Sequence, residues 1–483
     1  MWGPTPAPTR CPSTAPLVHR CRRQAAAADR VAPLRRLRRG AAGVVGEVVV
    51  RRCLRHFEFQ GRRSAQLGGW RGVVEESELD TPGAGRSRVL CLRGLCPPAT
   101  ASVLRAALER APEAFVATAD SVDEGPSFEF NPLCRGKWQD LQLQALLAPF
   151  VEERLLPALR DALEEPNLAL SEVLARRYAP GERRGHGVHY DGHAYATAVL
   201  GLSEPDAFRG GLYLQPEPAV ESRRFCDLTP GDVLLHRFDL QHGVEVFEGE
   251  RLSLIFWFKD SANSVETGST PWYEGVPSAA ALYNLGVQYE LGLHGKALDV
   301  AQARAHYRRS AELGHCSAMN NLALLEEDVE AAERWLRAAA RQRHGPAMLN
   351  LALLLLSRET LETKEAAEWM RSAAASEPKA AFYLGDMYER GLAGLQDEDA
   401  AEEWFQRSAE RGFFPALTRL ARRRWQQQRY AAAAELYAAA AAAGDAEALQ
   451  CLALPELQPW RPSQAESALE ELDEEAAGAV GFG

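Results

Sequence analysis

A six-residue pattern opening on Ala recurs through the second half of the chain and limits what that half can become. Ala281-Leu-Tyr-Asn-Leu-Gly, Ala318-Met-Asn-Asn-Leu-Ala, Ala347-Met-Leu-Asn-Leu-Ala, Ala380-Ala-Phe-Tyr-Leu-Gly and Ala416-Leu-Thr-Arg-Leu-Ala are spaced 37, 29, 33 and 36 residues apart. Each is followed by a second helical pattern with an aromatic in register, at Tyr307, Trp335, Trp369, Trp404 and Tyr437, and three of these run into Gly314, Gly412 and Gly444. Small Ala faces let paired helices approach closely, while one aromatic per unit fills the gap to the next pair. A single unit cannot bury its own apolar face, so the units must stack. The expected product is an all-α solenoid of helix pairs over residues 279–455.

The A-x-x-x-LG and A-x-x-W-x-x-x-A-A-x-x-G spacings resemble Sel1-like repeats, relatives of the tetratricopeptide type. The resemblance implies an extended surface that binds a protein partner or protein substrate, with an acidic tail over 456–483 beyond it.

At 483 residues the chain is too long for one domain of roughly 150, so the first half needs its own account. An apolar fraction of 46% and a charged fraction of 25% are ordinary for globular proteins, and no apolar run approaches the ~20 residues of a membrane span. Charge is uneven: residues 1–63 hold fourteen Arg, no Lys and three acids, giving +11 against -11 for the whole. Such a basic, acid-poor start has the composition of a mitochondrial or plastid presequence, with a disordered basic tail as the alternative. Residues 1–84 are accordingly expected to be a disordered segment and linker. An intracellular setting, cytoplasm or organelle, follows from nine scattered Cys with no CxxC pair.

A first strand is expected at Arg88 to Leu92, followed by helical patterns at Ser102 to Arg110 and Leu141 to Glu164. Short strands are then expected at Val173–Tyr178, Ala196–Leu202, Gly211–Gln215, Asp232–Leu235 and Leu252–Phe258. Pro180-Gly181, Arg209-Gly210-Gly211 and Pro230-Gly231 separate them as turns, the pattern of a small antiparallel sandwich or barrel behind a helical layer. This unit is expected over 85–262, with a polar linker over 263–278.

Of eleven His, only His189 has an Asp two places on, in Gly187-Val188-His189-Tyr190-Asp191-Gly192. On a strand, positions i and i+2 face the same side, so both groups can reach one ion. His242, in Leu240-Gln241-His242-Gly243-Val244, is placed to be the third ligand. Two His and one carboxylate leave three positions open on an octahedral ion, which suits Fe(II) oxygenases. Neither His186 nor His193 has a carboxylate at i+2, so both are expected in the loop or beside the ligands.

Here the residues resemble the 2-oxoglutarate dioxygenase family, especially its prolyl-hydroxylase-like branch. The matches are the Tyr178-x-Pro-Gly turn, His189-x-Asp191, Phe208-Arg-Gly-Gly-Leu-Tyr, Pro230-Gly-Asp-Val-Leu-Leu, and His242-Gly-Val with Gly249-x-Arg251 and Trp257. The resemblance implies a multidomain protein: a double-stranded β-helix (jelly-roll) α+β oxygenase domain followed by the all-α solenoid. It implies Fe(II) on His189, Asp191 and His242, and 2-oxoglutarate held by Arg251 and hydrogen-bonded by Tyr178, with ascorbate as auxiliary reductant. The reaction would couple decarboxylation of 2-oxoglutarate to succinate with hydroxylation of a protein, with prolyl among the options, or of a small molecule. At His236 the family has an apolar residue, and packing or substrate contact is the expectation there. AlkB-type nucleic-acid demethylation fits less well, because that branch has a second Arg where this chain has Trp257. An inactive oxygenase-like domain in a solenoid adaptor is the alternative from another class.

Overall fold

The computed structural model of the chain describes residues 55–462, apart from 82–84, 120–125, 181–183, 275–277, 359–362, 395 and 444. Most of the Arg-rich start, the acidic tail from 463 and Gly181 lie outside the described residues. The first part is built on strands β1 (Gly61–Leu67), β2 (Trp70–Thr81), β3 (Gly85–Arg93), β4 (Val116–Ala119), β5 (Pro126–Cys134), β6 (Lys137–Trp138), β7 (Ala169–Tyr178), β8 (Gly185–His189), β9 (Ala196–Gly201), β10 (Phe208–Leu214), β11 (Arg224–Phe225), β12 (Val233–Arg237), β13 (His242–Gly249) and β14 (Arg251–Lys259). They form two antiparallel sheets. The larger runs β1-β2-β3-β12-β9-β14-β7-β5-β4, with β6 on β5, and the smaller runs β11-β10-β13-β8.

Strand alternation explains why the central strands are apolar on both faces. Leu90 and Leu92 of β3, Ala198 and Leu200 of β9, and Leu254 and Phe256 of β14 pack toward helices α1 (Pro98–Glu109), α2 (Leu141–Phe150) and α3 (Leu156–Leu163). Val89, Cys91, Val199 and Leu234 point the other way, to meet Leu212 and Leu214 of the small sheet. The layers are therefore helices, large sheet, small sheet. Burying one such Leu or Phe contributes about 1.5–3 kcal/mol.

Two sequence expectations need correction here. Residues 61–81, within the stretch 1–84 expected to be disordered segment and linker, are not linker: β1 and β2 pair across Leu67↔Trp70, and β2 adds to β3. Gly68 and Gly69 have φ of +52° and +82° and form the tight hairpin turn, a conformation that favours glycine at both positions. The charges on β1 and β2 hid the pair, because they alternate with few apolar residues near the edge of the sheet. Likewise, 263–278 is not a free linker. Helix α4 (Ala262–Thr267) and the turn Pro271–Tyr273 occupy it, and Tyr273 is 1% exposed in the same core as the large sheet. Among the described residues, Cys91, Cys96, Cys226, Cys316 and Cys451 are free thiols.

The helical part has the five expected pairs: α5 (Ala279–Leu291) with α6 (Val300–Glu312), α7 (Cys316–Leu325) with α8 (Val329–Arg341), α9 (Gly345–Leu356) with α10 (Thr363–Ala373), α11 (Pro378–Glu389) with α12 (Glu398–Glu410), and α13 (Pro415–Gln426) with α14 (Tyr430–Ala442), before α15 (Ala446–Leu452). Asp299, Asp328, Asp397 and Asp445 cap helix starts by accepting backbone N–H bonds. His315 and His344 do the same at α7 and α9.

The aromatic register differs from the expectation. Tyr307, Leu336, Met370, Phe405 and Tyr437 are the buried residues, each four after a buried Ala (Ala303, Ala332, Ala366, Ala401, Ala433). Trp335, Trp369 and Trp404 sit one residue earlier and are half-buried. Where the buried residue is a large ring, the facing helix can carry Gly: a Cβ on Gly286 would lie 2.5 Å from the Tyr307 ring, and one on Gly385 2.8 Å from Phe405.

The repeat array packs against the sheets. Ala281 and Leu285 of α5 join the core of the large sheet. Repeat junctions face the small sheet and its connections through His315–Tyr190 (3.0 Å), Arg343–Glu221 (2.5 Å) and Arg411–Glu245 (3.8 Å).

Candidate metal centre

The small sheet sets two of the three predicted ligands side by side. His189 is the last residue of β8 and His242 the first of β13, and they are cross-strand partners. Asp191 is not on the strand. It sits in a turn closed by Ala194 N–H donating to the Asp191 carbonyl (3.0 Å), so the turn, rather than strand alternation, brings the carboxylate round. The ligating atoms of His189, Asp191 and His242 all lie within 4.8 Å of one another. Asp191 Oδ1 is 3.6 Å from His189 Nε2, and Oδ2 is 3.4 Å from His242 Nε2.

Hydrogen bonds fix which nitrogen is available. Nδ1–H of His189 donates to the Gly187 carbonyl (2.8 Å), and that of His242 donates to the Leu240 carbonyl (3.2 Å). Each Nε2 therefore carries its lone pair toward the centre, the arrangement a metal-binding imidazole needs. Burial depresses the His242 pKa well below its ordinary value, and neighbouring His236 adds to this. For Asp191 burial acts upward, but His242 and His189 beside it outweigh this and hold the carboxyl well below the usual range. Neutral imidazole beside ionised carboxylate is the donor set that binds a divalent cation. Thr197 of β9 donates to Asp191 Oδ2 (2.6 Å). Sequence reasoning passed over Thr197, whose only signal is a polar residue inside an otherwise apolar strand.

His236 is 1% exposed on β12. Its Nδ1–H donates to the Arg237 carbonyl (3.0 Å), its ring is 4.3 Å from that of His242, and Nε2 has no partner, with Asp191 Oδ2 at 4.0 Å. It is thus packed against His242 with its Nε2 lone pair left toward the site. His186 stands edge-on to His189, with centroids 4.2 Å apart. His193 points elsewhere, meeting Trp257 and stacking with His294 of the first repeat.

Arg251 opens β14, paired with Tyr178 on β7, and both are buried. The guanidinium reaches across to the small sheet, where a Cβ on Gly211 would lie 3.6 Å from its Nε. Gly210 and Gly211, at φ +97° and +115°, form the bulge that lets β10 pass this close. Arg251 Nη1 donates to Ser253 Oγ (3.1 Å), and no acidic side chain pairs with it among the described residues. Burial lowers its pKa. The Tyr178 hydroxyl is buried without a hydrogen-bond partner. Together they form a buried cationic, polar site, which suits an anionic group.

Outside the sheets, Tyr190 and Gln241, neighbours of the ligands, line a small, partly open cleft together with Ser317 and His344 of the repeats.

The family model of the Sel1 repeat matches residues 279–315, 317–344, 345–377 and 378–413. The fifth helix pair lies outside those matches. An uncharacterized protein of Neisseria meningitidis serogroup B is 30% identical over 152 residues, which is 30% of this chain and 32% of that protein. The chain thus spans about a third of the length of that curated relative. Among solved structures, a Sel1 repeat protein from Oxalobacter formigenes matches at 22% identity and TM-score 0.38, covering 42% of this chain and 90% of that one. A 2OG-Fe(II) oxygenase family oxidoreductase from Burkholderia pseudomallei matches at 16% identity and TM-score 0.28, covering 36% and 85%. A Pseudomonas putida prolyl-4-hydroxylase matches at 20% and 0.28, covering 35% and 91%. No helix among the described residues is long and apolar enough to cross a membrane.

Proposed function

We propose that the chain is an iron(II)- and 2-oxoglutarate-dependent dioxygenase that hydroxylates a protein or small-molecule substrate, its two sheets forming the walls of a double-stranded β-helix. The observation that carries this reading is a His-Asp-His set and a buried guanidinium without a counter-ion among the described residues, enclosed between the same two sheets. A buried cation with no acidic partner is costly to fold around unless an anionic ligand completes it.

When bound, iron(II) with 2-oxoglutarate and dioxygen supplies the oxidising chemistry, with succinate and carbon dioxide as the coproducts. His189 and His242 offer Nε2 lone pairs, and Asp191 offers an ionised carboxylate steadied by Thr197. Arg251 and Tyr178 bind and orient the far carboxylate of the cosubstrate. Val199, Leu212, Leu234 and Leu240, buried in one cluster between the sheets, exclude water and raise the effective strength of these polar contacts. His236 Nε2 can accept a hydrogen bond from a group held at the centre. The Sel1 repeats supply a surface for a protein partner or substrate, and ascorbate belongs to the proposal as auxiliary reductant.

The test is succinate formation by the purified full chain with iron(II), 2-oxoglutarate and oxygen. His189→Ala and Asp191→Ala should each abolish it together with metal binding. Unchanged turnover in either variant, or tight zinc binding with a fourth protein ligand, would refute the proposal.

A further inference from the structure

The segment that carries Asp191 is held from outside the sheets, on both sides of the carboxylate. On one side, the Tyr190 hydroxyl meets His315 Nε2 at 3.0 Å. His315 Nδ1 accepts the Ala318 N–H at 3.2 Å as the α7 cap, so Nε2 carries the proton and donates it to the Tyr190 oxygen. The Tyr190 ring also lies against Tyr283 of α5, with centroids 5.9 Å apart, while Tyr283 stacks on His315 at 4.8 Å. On the other side, the Gly192 carbonyl accepts from Tyr273 Oη (3.0 Å) and Gln288 Nε2 (3.3 Å). Gln288 Oε1 is taken by Thr270 Oγ1 (2.9 Å), which fixes the amide with its NH2 toward Gly192. Finally, Asn284 of α5 presses on Gly192: a Cβ there would lie 2.8 Å from Asn284 Oδ1 and 3.1 Å from its Cγ.

We propose that the first Sel1 repeat, with the Pro271–Tyr273 turn that precedes it, is a working part of the metal centre: Tyr273, Asn284, Gln288 and His315 fix the Tyr190–Gly192 segment and so set where the Asp191 carboxylate sits. These are positioning residues, acting through the backbone on either side of the ligand. A turn left to itself would sample many carboxylate positions, and each metal-binding event would have to restrict it. Packing from the repeat removes that freedom beforehand, which is how outer residues raise metal affinity. The repeat array is then joined to the centre energetically: whatever displaces α5 changes metal affinity, and metal occupancy changes α5 in return.

The inference rests on the metal reading above, and the test separates the two. Cobalt(II) serves as probe, titrated into the full chain and followed by its visible absorption, with the thermal midpoint of the metal-free protein measured in parallel. Gly192 does not have a left-handed backbone, so Gly192→Ala is a steric push against Asn284 and nothing more. It should weaken cobalt binding by on the order of tenfold or more. Asn284→Ala removes the two clashing atoms, and Gly192→Ala with Asn284→Ala should bind within about threefold of Asn284→Ala alone, a coupling between neighbours that distant sites do not show. Gln288→Leu, which keeps the bulk and removes the donor, should also weaken binding, and it carries the test if Gly192→Ala does not fold. Wild-type cobalt affinity in a folded Gly192→Ala or Gln288→Leu protein overturns the inference, as does a loss that Asn284→Ala fails to restore. Absence of any cobalt band in the unsubstituted protein would instead overturn the metal reading.

Discussion

Mild acid should loosen the contact between the repeats and the sheets, and the size of the effect follows from two buried imidazoles. His315 is 3% exposed and His344 6%, and each spends Nδ1 on a helix cap. Burial pushes the His315 pKa down to about 3, and that of His344 down to about 4, from 6.5. Between folded and unfolded values the unfolded chain binds the extra proton, so stability is intact above pH 6.5 and falls as the pH drops below it. At 1.36 kcal/mol per unit, going from 6.5 to 5 removes about 2 kcal/mol for each histidine and about 4 kcal/mol for the pair. Because pH 5 is still above both folded values, the result does not depend on their fine placement. The assay is urea unfolding of the wild type and of His315→Asn at about pH 7, 6 and 5. Asparagine can still cap a helix but cannot titrate. The variant should start less stable, having lost the Tyr190 contact, yet lose about 1.4 kcal/mol less per pH unit below 6.5. Equal slopes for the two proteins, or an NMR titration midpoint for His315 above about 5.5, would refute the reasoning.

Arg251→Ala should raise the Michaelis constant for 2-oxoglutarate by on the order of 100-fold, as expected for a lost charge-assisted contact, with metal affinity little changed. An unchanged constant in steady-state assays would assign the carboxylate to another residue. A chain ending at Ser264 should not yield a folded domain, since it lacks Tyr273, Ala281 and Leu285 of the sheet core, and losing one large buried side chain alone costs about 3–5 kcal/mol. A monodisperse truncated protein with full metal affinity would contradict this. Gly286→Ala should destabilise the array by about 1–3 kcal/mol, because the new methyl meets the Tyr307 ring at 2.5 Å. An unchanged midpoint by differential scanning calorimetry would show that Tyr307 can move aside.

Much of the layout was legible because it rests on local periodicity. Apolar runs along β9, β12 and β14, bounded by turn residues, marked strands, and the Ala spacing marked the helix pairs, since both patterns are set by which side chains must leave water. The grouping of His189, Asp191, His242 and Arg251 as candidates was likewise readable, because the chemistry requires particular residue types at short spacings. The edge strand β1 and its neighbour β2 were not readable: their charges are tolerated because much of both strands stays partly exposed to solvent. The repeat register was read one residue off in three units, because an aromatic ring is conspicuous in sequence while burial at Leu336 and Met370 depends on the facing helix. Nothing in the order of residues links Gly192 to Asn284 and Gln288, or Tyr190 to His315. Those pairs are separated by about a hundred residues or more, and only the packing of the repeat array against the sheets brings them together. The sequence by itself therefore determined many of the parts: the central strands of the large sheet together with β10, five helix pairs and a candidate ligand set. The tertiary structure decided that the boundary between the parts runs through the centre, with Thr197, His236 and the first repeat meeting around Asp191.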